Sequence, residues 1–171
     1  MSTIVVDGER VSSTAVREAL ARGRLADAAR LLGRPYSISG RVVKGDQLGR
    51  RLGFPTANVR MRHNRPPLSG IFAVRMHGVD SAPLPGVASL GVRPTVKSAG
   101  VPTLEVFLLD FDRDIYRRQV RVEFLHKFRD EQKYADLETL RRQIALDVEH
   151  TRVWFRESEA RRAADPRGAA L

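Results

Sequence analysis

The chain has 171 residues, 30 Lys+Arg against 20 Asp+Glu, a formal net charge of +10 and no cysteine. That length suits one domain with a small extra piece, and 42% hydrophobic residues supply a core that a disordered chain lacks. The missing cysteines exclude disulfides, thiolate metal sites and cysteine nucleophiles, and fit a reducing cytoplasm.

No apolar run reaches the roughly 18 residues of a membrane span. The start, MSTIVVDGERVSS, lacks the long apolar core of a signal peptide. A cytoplasmic protein with no membrane partner is expected. His63, His77, His126 and His150 lie far apart, so no zinc-hydrolase pair is present. Only Lys44, Lys97, Lys127 and Lys133 are lysines, so nearly all the positive charge is arginine. A polyanion is the obvious partner for such a charge, and an arginine-rich genome gives the same excess without function.

Residues 1–34 read as a short extended start followed by helices. Ser12, Ser13 and Thr14 offer N-cap hydroxyls before Ala15–Leu20. Gly23 interrupts, and Leu25, Ala28, Ala29 and Leu32 share one face of a second helix that Gly33 ends. Two such helices must dock on something, either the rest of this chain or a domain that is missing.

From Tyr36 to Phe128 the pattern becomes strands and turns. Tyr36–Val43, Ile71–His77, Gly86–Leu90, Thr103–Leu109 and Val120–Phe128 are short apolar runs separated by Gly, Pro and Asp. Val120, Val122 and Phe124 alternate with Arg121 and Glu123, which is period two. Short strands without intervening helices predict an antiparallel barrel or sandwich. A long helix follows, with Leu137, Leu140, Ile144, Val148, Thr151 and Phe155 in one stripe. Arg141, Arg142, Asp147, Glu149 and Arg152 are assigned to its other faces. The tail 161–171 is polar and small, as frayed ends are.

The chemistry concentrates between Gly40 and Val59. Glycines at 45, 49 and 53 surround Arg50 and Arg51. Such a loop either cradles anionic oxygens with backbone N–H groups or is a turn between strands. Thr56 and Asn58, two apart in an extended segment, face the same side. They form either a partial hard-oxygen site suited to Mg²⁺ or a turn in which Asn58 bonds its own backbone. Glu105 interrupts the apolar run Leu104–Leu109, either as a solvent-facing strand residue or as a working carboxylate.

The run Gly45-x-x-x-Gly49-Arg50-x-Leu52-Gly53-Phe54-Pro55-Thr56-Ala57-Asn58 resembles the signature of riboflavin kinases, especially the C-terminal module of bacterial bifunctional FAD synthetases. Four further blocks resemble the family in order: Gly70–Val74, Ala88–Val96, Leu104–Phe111 and Phe128–Tyr134. The resemblance spans about Tyr36 to Asp147. It implies a mainly β fold, a six-stranded antiparallel Greek-key barrel with a long C-terminal helix, here preceded by a short helical segment. It implies Mg²⁺-dependent transfer of the ATP γ-phosphoryl group to the 5′-hydroxyl of riboflavin, giving FMN and ADP. By matching positions, Thr56 and Asn58 would hold Mg²⁺ with the phosphates. Gly45, Gly49, Arg50, Gly53 and Pro55 would belong to the nucleotide-binding flap. Glu105 would be the catalytic base. Lys44, Ser89, Phe107 and Arg117 depart from the family's usual residues, which are His, Asn, His and Gly.

Val11–Arg17 resembles a motif that ends the adenylyltransferase domain of those synthetases. Residues 1–34 are therefore expected to be a remnant of that domain and its linker, with the kinase at 35–160 and a tail at 161–171. The docking surface of the remnant is expected to be exposed or used in self-association, and FAD synthesis is not expected from this chain. The competing expectation is a basic β-barrel that binds nucleic acid. It is disfavoured because aromatics make up only 6% of the residues and most fall at core positions.

Overall fold

The computed structural model describes residues 5–6, 9–10, 12–61, 65–95 and 98–164, without the side chains of 5–6, 9–10 and 92–101. The expected tail lies largely outside the described residues. A two-stranded ribbon, β1 (Val5–Val6) and β2 (Glu9–Arg10), precedes helices α1 (Ser13–Ala21) and α2 (Leu25–Leu32). The Ser12 hydroxyl accepts a hydrogen bond from the Ala15 N–H and caps α1, and Gly33 caps the C-terminus of α2.

Six strands follow: β3 (Ser37–Val43), β4 (Ala57–Met61), β5 (Gly70–His77), β6 (Leu84–Thr95), β7 (Ser98–Leu108) and β8 (Gln119–Arg129). They close into an antiparallel barrel in the order β3-β4-β7-β6-β5-β8. A four-residue helix, α3 (Leu48–Arg51), sits in the glycine loop between β3 and β4. The last element is α4 (Leu137–Ala164). The expected Greek-key barrel with a closing helix is the observed fold. The sequence reading did not delimit β4, and it placed no helix in the glycine loop.

Closure sorts the strand residues by parity. Val42, Val59, Phe72, Val74, Met76, Leu90, Leu104, Val106, Val122 and Phe124 point inward and form the main core. Phe72 and Phe124 meet edge-on there at 5.2 Å. Outward residues Ile71, Ala73 and Val87 form a second core with Val148 and Phe155 of α4. The barrel is thus apolar inside and apolar again on one outer flank, where α4 lies. The Asp136 carboxylate starts that helix by accepting from the Thr139 N–H at 2.7 Å.

Three expectations about surfaces change. Ala19, Leu20, Leu25 and Ala28 belong to the barrel's own core cluster, so α1 and α2 dock on this chain rather than exposing their apolar face. Leu137 is 49% exposed, so the apolar stripe of α4 begins at Leu140. Asp147, assigned to a polar face, is buried. It lies three residues after Ile144 and one before Val148, which places it on the buried face.

Among the described residues, no helix is long and apolar enough to cross a membrane. The turn before β8 holds Arg117 at φ +66°, with its N–H donating to the Val42 carbonyl at 2.9 Å. A left-handed conformation costs a side-chain-bearing residue about 1–2 kcal/mol, partly offset in a glycine replacement by the entropy of the unfolded chain. Arg117→Gly should therefore stabilise by about 0.5–1 kcal/mol. Thermal unfolding should show a midpoint about 1–4 °C higher. An unchanged or lower midpoint contradicts this reading of the turn.

Candidate active site

Strand register builds the site. Asn58 on β4 pairs with Glu105 on β7, and Glu105 pairs with Ser89 on β6. The inward neighbours Val59, Leu104, Val106 and Ala88 are in the core, so these three side chains share the outer face. Pro55 ends the loop, and Thr56 precedes β4. The Thr56 hydroxyl donates to Glu105 Oε2 at 3.3 Å. Glu105 is half-buried.

The glycine loop folds back onto this rung. A Cβ at Gly45 would run into the side-chain amide of Asn58, and one at Gly49 into the Phe54 carbonyl and the Thr56 hydroxyl. Gly49 therefore needs glycine for close approach to backbone, and Gly45 leaves the room that the Asn58 amide occupies. Gly53 adopts φ +87° in the turn and lines neither cleft described below.

Two clefts meet at Thr56. The first, about 310 Å³, lies between the outer sheet face, α3 and α4. Leu48, Leu52, Phe54, Ile71, Val87, Phe107, Leu140 and Ile144 make it largely apolar, and Thr56, Ser89 and Glu105 lie along one wall. Phe54 and Phe107 meet edge-on at 5.6 Å. The second, about 650 Å³, opens at the barrel mouth and includes Arg50, Pro55, Thr56, Asp112, Asp114 and Tyr116. Lys44 lies over the Tyr116 ring at 5.8 Å.

The structure thus brings together Thr56, Asn58 and Glu105, places Gly45 and Gly49 against them, and puts Arg50 and Pro55 in the second cleft. It also adds a feature that the sequence reading missed. Arg129, at the end of β8, donates to Asp147 through Nε at 2.9 Å and Nη2 at 2.6 Å. Gln143 adds a 3.1 Å bond to the same carboxylate. Hydrogen bonding to Asp147 holds the Arg129 guanidinium above its ordinary pKa. This clasp fixes α4 beside the first cleft, which both residues line. Arg129 lies in a matched block, but only the i+3 relation of Asp147 to Ile144 signals its partner.

Among the described residues, no three His, Cys, Asp or Glu side chains cluster as a metal cage. Thr56 and Asn58 supply two hard oxygens only. That donor set fits Mg²⁺, which keeps several waters and takes its remaining ligands from substrate phosphates.

A carboxylate beside hydroxyl and amide oxygens, where an apolar cleft meets a polar one, is equipment for group transfer to an alcohol. The comparisons agree with that class. A family model described as "Flavokinase: Riboflavin kinase" matches residues 32–155. The bifunctional riboflavin kinase/FMN adenylyltransferase of Escherichia coli K12 is 51% identical over 154 residues, covering 90% of this chain and 49% of that protein. The Pseudomonas fluorescens protein of the same description is 51% identical over 146 residues, covering 85% of this chain and 47% of its own. A crystal structure described as a macrolide-efflux protein from Streptococcus pneumoniae superposes with TM-score 0.76 at 31% identity, covering 89% of this chain and 50% of that one. Riboflavin kinase from Trypanosoma brucei superposes with TM-score 0.51 at 26% identity, covering 75% and 84%.

The chain belongs to the riboflavin kinase family. It carries a riboflavin kinase domain and spans about half the length of the curated relatives it matches.

The clasp has a measurable worth. Removing one member of a buried ion pair costs about 3–5 kcal/mol, whereas replacing both by apolar residues is often neutral. Asp147→Ala should destabilise by about 3 kcal/mol in urea unfolding, and the double variant Arg129→Met/Asp147→Leu should recover most of it. Equal losses in the two proteins contradict the assignment.

Proposed function

We propose that this chain catalyses Mg²⁺-dependent transfer of the γ-phosphoryl group of ATP to the 5′-hydroxyl of riboflavin. The observation that carries the proposal is the position of Glu105, bonded to Thr56 and in register with Asn58 where the two clefts meet. The apolar cleft suits a flavin ring system, and the cleft containing Arg50 suits the nucleotide.

Glu105 is the catalytic base. Its carboxylate accepts the proton of the attacking hydroxyl as the new oxygen–phosphorus bond forms. The bond from the γ-phosphorus to the bridging oxygen breaks, and ADP leaves. Thr56 orients the carboxylate and, with Asn58, would hold Mg²⁺. Bound there, the ion would neutralise charge on the phosphate oxygens. Gly45, Gly49, Gly53 and Pro55 shape the loop over the nucleotide, and Arg50 adds positive charge on its side. Alignment and charge neutralisation are what a loose phosphoryl-transfer transition state requires.

Residues 1–34 are read as the end of an adenylyltransferase domain with its linker, 35–160 as the kinase and 161–171 as a tail. The length of the E. coli alignment supports the origin of the upstream segment in such a relative. Its 154 residues exceed the 140 from Leu32 to Leu171, so similarity to a two-activity relative reaches upstream of the kinase match.

Purified protein given riboflavin, ATP and Mg²⁺ should yield FMN. Folded protein that yields none overturns the reading. Glu105→Ala should lower kcat about 10²–10⁴-fold while flavin binding persists. Unchanged turnover would remove Glu105 from the mechanism. Chelating the metal should abolish turnover, and Asn58→Ala should raise the Mg²⁺ concentration giving half-maximal rate.

A further inference from the structure

Glu131 is a carboxylate in the first cleft with no role in the phosphoryl transfer described above. It lies in the connection between β8 and α4 and reaches back across the sheet to β6. The Ser89 hydroxyl donates to Glu131 Oε1 at 2.8 Å. A Cβ at position 91 would run into the Glu131 carboxylate, so Gly91 leaves the space that it occupies. Ser89 is the register partner of Glu105, and Ile71 is the register partner of Ser89. Adjacent strands are about 4.8 Å apart, so the order across the cleft is set. The reacting end is at Asn58 and Glu105, the Ser89–Glu131 pair comes next, and the apolar wall of Ile71 and Ile144 lies beyond.

A flavin whose terminal hydroxyl meets Glu105 and whose rings meet the apolar wall must run its side chain past Ser89 and Glu131. Ionised carboxylates only accept hydrogen bonds, and vicinal alcohols donate them. Hydrogen bonds to a charged acceptor are stronger than neutral ones. A site with such an acceptor also discriminates against a chain that lacks hydroxyls, because the carboxylate is then left desolvated. We propose that Glu131, held by Ser89, accepts hydrogen bonds from the secondary hydroxyls of the ribityl chain and so makes the site specific for a polyol-bearing flavin. This inference rests on the flavin reading of the first cleft.

The test compares riboflavin with a flavin carrying a hydroxypentyl chain, which keeps the terminal hydroxyl and lacks the secondary ones. In Glu131→Gln, kcat/KM for riboflavin should fall about tenfold or more, while that for the analogue stays within about twofold. KM for ATP and the unfolding midpoint should not move. Ser89→Ala, which leaves the carboxylate in place but loosens it, should lose part of the same preference. It gives the readout if Glu131 variants fold poorly. An equal loss for both flavins assigns Glu131 a structural role and overturns the proposal, as does no loss for either. The same comparison by equilibrium binding, from quenching of flavin fluorescence, separates the two readings. Wild-type protein that binds neither flavin nor makes FMN fails the functional reading. Protein that does both, but whose Glu131 variants keep the full preference for riboflavin, fails this one.

Discussion

Backbone register across β4, β7 and β6 is the constraint on which the site depends. In a closed barrel, each strand residue points either into the core or out of it. Val59, Leu104, Val106 and Ala88 fill the interior, and that choice alone puts Asn58, Glu105 and Ser89 in a row outside. A slip of one residue would drive Glu105 into the core and expose Leu104 and Val106, at a cost of several kcal/mol for an unpaired buried carboxylate. The hydrophobic core therefore fixes the alignment of the polar groups. The glycine loop and α4 then complete the clefts around a rung already set.

The outer flank carries the second layer of the design. An outward barrel face is normally polar, yet Ile71, Ala73 and Val87 are apolar because α4 covers them. The helix is held by this core and by two forked contacts. One is the Arg129–Asp147 clasp, with Asp147 buried and Arg129 partly so. The other is an exposed pair, Arg152 to Asp110, at 2.7 Å through both nitrogens. The first matters far more, since exposed pairs contribute about 0–1 kcal/mol. Much of the arginine excess is of the exposed kind, as in Arg141 and Arg142 against Glu138. A charge of +10 therefore says less about partners than it first suggests.

Most of the barrel was legible because its strands alternate cleanly and its turns carry Gly, Pro and Asp. β4 was less visible, since Ala57-Asn58-Val59-Arg60-Met61 has only one fully buried side chain. The proposed role of Thr56, Asn58 and Glu105 was legible only through resemblance: a lone Glu in an apolar strand and a Thr two residues before an Asn have ordinary explanations. Asp147 was misplaced because a carboxylate within a helix reads as solvent-facing until its partner is known, and Arg129 lies 18 residues away. Whether α1 and α2 dock on this chain or on another domain was left open for the same reason. Their apolar faces are clear in the sequence, but not the barrel surface that receives Leu20 and Ala28.

The central claim is that Glu105 stands between a nucleotide cleft and a flavin cleft. A crystal structure with ADP, Mg²⁺ and riboflavin addresses it most directly. The account predicts ADP in the cleft lined by Arg50 and Tyr116, the flavin rings against Ile71 and Ile144, and the terminal ribityl hydroxyl within hydrogen-bond reach of Glu105. A flavin bound elsewhere, or one whose terminal hydroxyl points away from Glu105, would contradict it.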